Sequence, residues 1–184
     1  MNAAPGEAEP LIRRYVGAYP DHLQQQVLRL VTDGRLGEHL AGKYPARHAI
    51  QTDGALYDYV LELKQAHLRS SPPLHKVIWQ NKMDVIQNVL GLNTAVSRVQ
   101  GGRLKAKAEI RIASLFKQQA PEFLEMVAVH ELAHLREREH NKAFYQLCRH
   151  MLPDYDQIEF DLRLLMLQQA LEARGTVAAG MATD

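Results

Sequence analysis

The stretch Phe123-Leu124-Glu125-Met126-Val127-Ala128-Val129-His130-Glu131-Leu132-Ala133-His134 decides how this chain is read. Its first seven residues are mostly apolar and predict a buried helix, which Pro121 and Glu122 open in the manner of a first turn. Its end carries two histidines four apart. At 3.6 residues per turn they lie roughly 40° apart around the axis, so both rings can reach one metal ion. Glu131, beside the first of them, is placed to act on a water at that ion. Nine histidines and twelve glutamates in 184 residues give a chance expectation of roughly 0.03 such patterns per chain. Coincidence therefore competes poorly, although a surface helix whose histidines face solvent is the plain alternative.

A third histidine, His140, stands six residues further on. On an unbroken helix it would lie about 240° around and about 9 Å along from His134, out of reach of the same ion. The helix is therefore predicted to end between Leu135 and Glu139, with the chain turning back. The insert Leu135-Arg136-Glu137-Arg138-Glu139 is charged, which suits an exposed corner, but it lacks the glycine that metzincins place there. Asn141 is the candidate cap for the next helix. The rival third ligand is a downstream carboxylate, Glu159 or Asp161; if His140 binds, those acids become candidates to orient the histidines.

The segment from Met126 to Leu165, with its HELAHL core, HNKAFY, LPDY and EFDLRL, resembles the YgjP-type metal-dependent hydrolases, part of the zincin group near the WLM and SprT-like metalloproteases. The resemblance extends over residues 55 to 165. It implies zinc ligands at His130, His134 and His140 and a catalytic carboxylate at Glu131. One segment departs from the family: Val99-Gln100-Gly101-Gly102 stands where many members have Trp-Gly-Ser-Cys.

The expected fold is α+β: a zincin-like catalytic domain with a small antiparallel or mixed sheet and the HExxH helix, plus an N-terminal helical subdomain. Residues 1–10 are small and expected to be disordered. Residues 11–73 read as helical, with Asp21 capping a helix from His22 to Val31 and a second period running from Leu56 to Leu68. Ser70-Ser71-Pro72-Pro73 ends that zone. Residues 74–174 form the expected hydrolase domain, and 175–184 a flexible tail. Within the domain, Lys76–Trp79 reads as a short strand, and Met83–Leu92 fits helix or strand. Residues 103–112 alternate polar and apolar without a slip, a half-buried strand with Ile110 and Ile112 inward. Gly101-Gly102 before it allows a hairpin with Ala95–Gln100. Its outward face, with Arg103, Lys105, Lys107, Glu109 and Arg111, reads either as an ordinary solvated edge or as a cationic wall favouring an anionic substrate. Ala143–Met151 reads as a helix burying Phe144, Leu147, Cys148 and Met151. A longer apolar helix spans Glu159–Ala173, with Gly175 as its expected end.

Composition narrows the function classes. Net charge is +1, so no strong electrostatic partner is implied, and nucleic acid is disfavoured. One cysteine excludes a disulfide framework or a cysteine-based zinc module. No signal-peptide pattern opens the chain, and no apolar run is long enough to cross a bilayer; a cytoplasmic enzyme is expected. The leading expectation is a zinc-dependent peptidase, with Glu131 as general base for a water activated by the metal. Another divalent metal could occupy the same nitrogens. Arg98, Arg111, Tyr145, His150 and Tyr155 are candidates for the second electrophile, with Tyr155 the first choice. The alternatives are hydrolysis of a small anionic substrate such as a nucleotide phosphoanhydride, and a non-catalytic module that keeps a metal for stability.

Overall fold

A computed structural model describes residues 5–81, 90 and 108–181. Two compact units divide the chain, one made of residues 1–45 and 157–184, the other of residues 46–156. Among the described residues there are seven α-helices and a two-stranded sheet.

The first unit holds α1 (Pro5–Val16), α2 (Asp21–Thr32), α3 (Leu36–Lys43) and most of α7 (Tyr155–Met181). Helix α1 begins inside the stretch expected to lack structure. The reason is its spacing: Ala8, Leu11, Ile12 and Val16 recur on one face and are buried against Val27, Val31, Leu36, Leu40, Leu164 and Leu167, so that face gains from leaving water. Asp21 is the first residue of α2 rather than its cap; Pro20 holds the cap position. The far end of α2 is closed by Gly34, at φ 69°. Its N–H reaches Val31 O at 3.1 Å while Arg35 N–H reaches Leu30 O at 2.8 Å, the paired bonds of a Schellman turn that favour glycine. Helix α7 runs through Gly175 to Met181; a glycine stops a helix only where the backbone turns left-handed, and Gly34 is the sole positive-φ glycine among the described residues. The acids expected near the histidines are held within this unit. Asp161 is buried and accepts from Lys43 Nζ, Tyr44 Oη at 2.6 Å and Gln157 Nε2 at 3.1 Å. Glu159 accepts from Arg163 Nε at 2.6 Å and from the Tyr19 hydroxyl.

The second unit holds α4 (Asp53–His67), β1 (Leu74–Gln80), β2 (Ala108–Ala113), a 3-10 turn at Ser114–Gln118, α5 (Pro121–Ala133) and α6 (Lys142–Met151). Thr52 caps α4 by accepting from Ala55 N at 3.2 Å. The two strands pair in parallel, with Val77 opposite Ile110 and Trp79 opposite Ile112. The expected antiparallel or mixed sheet is thus not what the described strands form. A parallel pair needs a crossover of a dozen or more residues, and 81–107 supply that length. The expected hairpin partner Ala95–Gln100, the first half of the expected strand at 103–107, and Met83–Leu92 apart from Leu90 lie outside the described residues. Ile110 and Ile112 are buried and Glu109 and Arg111 exposed or partly so, as the alternation predicts.

Helix α5 is apolar on every side: Phe123, Leu124, Met126 to His130, Leu132 and Ala133 are all buried. Such a helix is central to its unit rather than laid on its surface, and this explains the unbroken apolar run before His130.

Candidate metal centre

Helix α5 ends just before the predicted window of Leu135 to Glu139. Ala133 is the last helical residue and His134 is its C-cap, at φ −64° and ψ −14°. The corner then needs no glycine. Leu135 N–H bonds Leu132 O at 3.1 Å, and Arg136 and Glu137 N–H both bond Ala133 O at 3.0 and 2.9 Å. These tightened bonds satisfy the last carbonyls of the helix, and no corner residue has positive φ. Asn141 starts α6 by accepting from Phe144 N at 3.0 Å, the cap its position predicts.

The result brings three rings together. The Nε2 of His134 lies 3.3 Å from that of His130 and 3.0 Å from that of His140, and the His130–His140 separation is 3.1 Å. Neither Glu159 nor Asp161 belongs to this cluster. Two of the far ring nitrogens have partners of their own: His134 Nδ1 sits 3.0 Å from Glu137 O and His130 Nδ1 2.8 Å from Tyr155 Oη. The carboxylates expected to orient the histidines are therefore replaced by a main-chain carbonyl and a phenol. Since a carbonyl can only accept, His134 carries its proton on Nδ1 and turns an Nε2 lone pair inward.

Phe144 completes the enclosure. Its fully buried ring stands 4.9, 4.6 and 4.8 Å from the centroids of His130, His134 and His140. In the sequence, the helical spacing of Phe144, Leu147, Cys148 and Met151 marks this residue as core, and its place in the HNKAFY segment assigns it no role at the site.

Electrostatics agree with neutral rings. Burial, reinforced by the neighbouring His134 and His140, holds His130 well below the ordinary histidine range. Burial also lowers His134, opposed mainly by its bond to the Glu137 carbonyl, and His140, opposed by Glu139. The Glu131 carboxyl is pushed up to about 7 by burial. Tetrahedral zinc with Zn–N bonds of about 2.0–2.1 Å sets its ligand nitrogens roughly 3.3 Å apart. The observed spacings fit that donor set, whereas three lone pairs converging without a cation would repel.

The other expected residues fall elsewhere. The Tyr155 hydroxyl lies 2.8 Å from the far nitrogen of His130, and the residue is 1% exposed. Arg111 is committed to Glu109, at 3.0 Å, and reaches Gln80, because β1 brings that glutamine alongside. His150 stacks edge-on with His67 at 6.4 Å. Tyr145, 36% exposed, has its ring 6.4 Å from that of His140. Cys148 is buried and its thiol pushed up to about 12 by that burial, which suits core rather than nucleophile. Arg98, Arg103, Lys105 and Lys107 lie outside the described residues. No helix among the described residues is long and apolar enough to cross a membrane.

A buried helix presenting two histidines, a tight corner returning a third, and a carboxylate beside the first together describe a metal-dependent hydrolase. The family model for the YgjP-like metallopeptidase domain matches residues 46–164, and the chain belongs to that family. It is 55% identical over 157 residues to the UTP pyrophosphatase of Escherichia coli (strain K12), covering 85% of this chain and 94% of that protein. No solved structure matches it. The protein is an enzyme, a metal-dependent hydrolase.

Proposed function

We propose that this protein hydrolyses a phosphoanhydride bond of a nucleoside triphosphate, UTP first among them, releasing pyrophosphate at a zinc centre held by His130, His134 and His140. The similarity to a UTP pyrophosphatase over 157 residues carries this reading, and it displaces the peptidase that the helix motif favours on its own. A cytoplasmic nucleotide pool is the setting such an activity needs.

When bound, a divalent cation supplies Lewis acidity, acidifying an attacking water and drawing charge from a phosphoryl oxygen. The chain's own groups do the remainder. Three neutral imidazoles leave the cation's charge intact, and the buried Phe144 ring limits how far they can turn. Glu131, with its carboxyl near 7, takes the proton of the attacking water and returns it to the departing pyrophosphate oxygen, the work of a general base whose affinity is matched to neutral pH. Its neighbours on the corner, Arg136, Arg138 and Lys142, are exposed. They outnumber the interleaved Glu137 and Glu139 by one charge and favour an anionic substrate.

The test is a substrate panel. Purified protein is incubated with UTP, the other nucleoside triphosphates and casein-like peptides, and pyrophosphate, phosphate and new amino termini are measured with and without chelator. Pyrophosphate release from UTP that chelator abolishes is the expected result. Peptide cleavage without nucleotide turnover would reverse the reading.

A further inference from the structure

We propose that Tyr155 is a positioning residue: its hydroxyl accepts the Nδ1–H of His130 and so fixes the tautomer that turns the Nε2 lone pair toward His134 and His140. The proposal rests on the metal reading above but not on the choice of substrate.

A neutral imidazole has one donor and one acceptor nitrogen, and the partner of the first decides the role of the second. For His134 the decision is unconditional, since the Glu137 carbonyl can only accept. His130 is different. Its Nδ1 faces a hydroxyl at 2.8 Å, and a hydroxyl can give or take. If Tyr155 donated its proton there, His130 would carry its own proton on Nε2, pointing at two nitrogens 3.1 and 3.3 Å away. That proton would occupy the place a cation needs. The convergence of the three Nε2 atoms within 3.0–3.3 Å favours the opposite arrangement, and a partner for the phenol proton is at hand. Cys148, one turn into the buried stripe of α6, lies within hydrogen-bonding reach of the same hydroxyl. The phenol proton can go to the Cys148 sulfur, leaving the oxygen lone pair for His130. Both residues are fully or almost fully buried, where each hydrogen bond they make is strengthened by the low local dielectric. Tyr155 also opens α7, with its N–H bonded to Leu152 O at 3.0 Å, so its ring starts from an anchored backbone.

Outer partners of metal-bound histidines change metal affinity by about 10–100-fold when removed. Tyr155→Phe keeps the ring that fills the core and deletes one oxygen. Zinc affinity is measured by competition with a chromophoric chelator, alongside the metal-free melting temperature and turnover at saturating zinc. The expected result is a zinc Kd raised by about 10–100-fold, with turnover largely restored by excess zinc. A Kd within about twofold of wild type overturns the proposal, as does lost turnover at saturating zinc with affinity intact, which would make Tyr155 catalytic. Ring-nitrogen NMR of the metal-free wild type needs no variant: His130 protonated on Nδ1 supports the assignment, and protonation on Nε2 refutes it. Wild-type protein that binds no zinc, with His134→Ala indistinguishable from it, would remove the metal reading instead, and the tautomer would still be read directly.

Discussion

Phe144→Leu separates the packing of the metal centre from its coordination chemistry. The ring is fully buried and lies 4.6–4.9 Å from all three histidine centroids. Leucine preserves most of the apolar volume and leaves the Asn141 cap untouched, because that bond uses the backbone N–H of residue 144. A swap of this kind costs about 1–1.5 kcal/mol in a packed core, or a fall of roughly 2–6 °C in the metal-free melting temperature for a chain of this size. The effect on metal should be separate and additional. Aromatic contacts are worth about 0.5–1.5 kcal/mol each beyond burial. Those contacts exist without metal, so the loss in affinity comes from re-ordering the freed rings on binding, about 1.4 kcal/mol in all at about 0.5–1.5 kcal/mol per side chain, or about tenfold in zinc Kd. The assay is differential scanning fluorimetry at fixed zinc together with chelator competition. The metal-free loss should appear in full, and the stabilisation by zinc should shrink in step with the weaker Kd. A variant with the lower metal-free melting temperature but unchanged Kd would refute the idea that Phe144 holds the rings in register.

Glu131→Gln should keep its zinc and lose about 10²–10⁴ in turnover; metal content by elemental analysis and pyrophosphate release measure the two halves, and undiminished turnover would take Glu131 out of the chemistry. His140→Ala should weaken zinc retention while Glu159→Ala and Asp161→Ala leave it intact, and the reverse pattern would restore a carboxylate as third ligand. Chelator should lower the melting temperature of wild type and leave His134→Ala nearly unmoved, since ligand linkage acts only where there is a site. The Glu131 carboxyl rises from 4.5 to about 7 on folding, so it favours the fold while protonated; that contribution is complete below about pH 4.5 and fades as pH climbs through about 7. The metal-free melting temperature should therefore decline between about pH 5 and 8 by a margin that Glu131→Gln removes, read by titrating both proteins in parallel.

The helix pattern of this chain was legible where period and caps coincide. Helix α2 follows from Leu23, Val27 and Val31, and Asn141 announced α6. The apolar run before His130 foretold a buried helix, and α5 buries nine of its 13 residues. Strand pairing was not legible. Two glycines before an alternating segment fit a hairpin that lies outside the described residues; the described pairing, β1 with β2 in parallel, could not be read, because alternation fixes which face is buried and says nothing about which strand lies alongside. Gly175 looked like a stop because glycine is common past helix ends, but the preference comes from left-handed backbone, which α7 does not adopt there. The site divides the same way. Spacing alone brought His130, His134 and Glu131 onto one helix, and the geometric need to end that helix pointed to His140. The partners of their far nitrogens were out of reach, since a carbonyl at Glu137 and a phenol at Tyr155 depend on how the corner closes.

That division also explains why substrate was the weakest inference from sequence. Peptide and phosphoanhydride hydrolysis both ask for an acidified water, a base near neutrality and charge stabilisation on one oxygen, and the three rings with Glu131 serve either. The choice between a peptide and a triphosphate has to be made by groups that meet the rest of the substrate, where uniform binding becomes discrimination. Under the proposed reading, candidates for that role lie on the corner that returns His140 to the other rings: Arg136, Arg138 and Lys142 are exposed there, and the corner is closed by bonds to Ala133 O and Asn141 Oδ1. A corner built without glycine has room in its sequence for charge, and here it is spent on cations alternating with Glu137 and Glu139. Under the proposed reading, the turn that brings His140 to the other rings thus also carries cations that favour a polyanion.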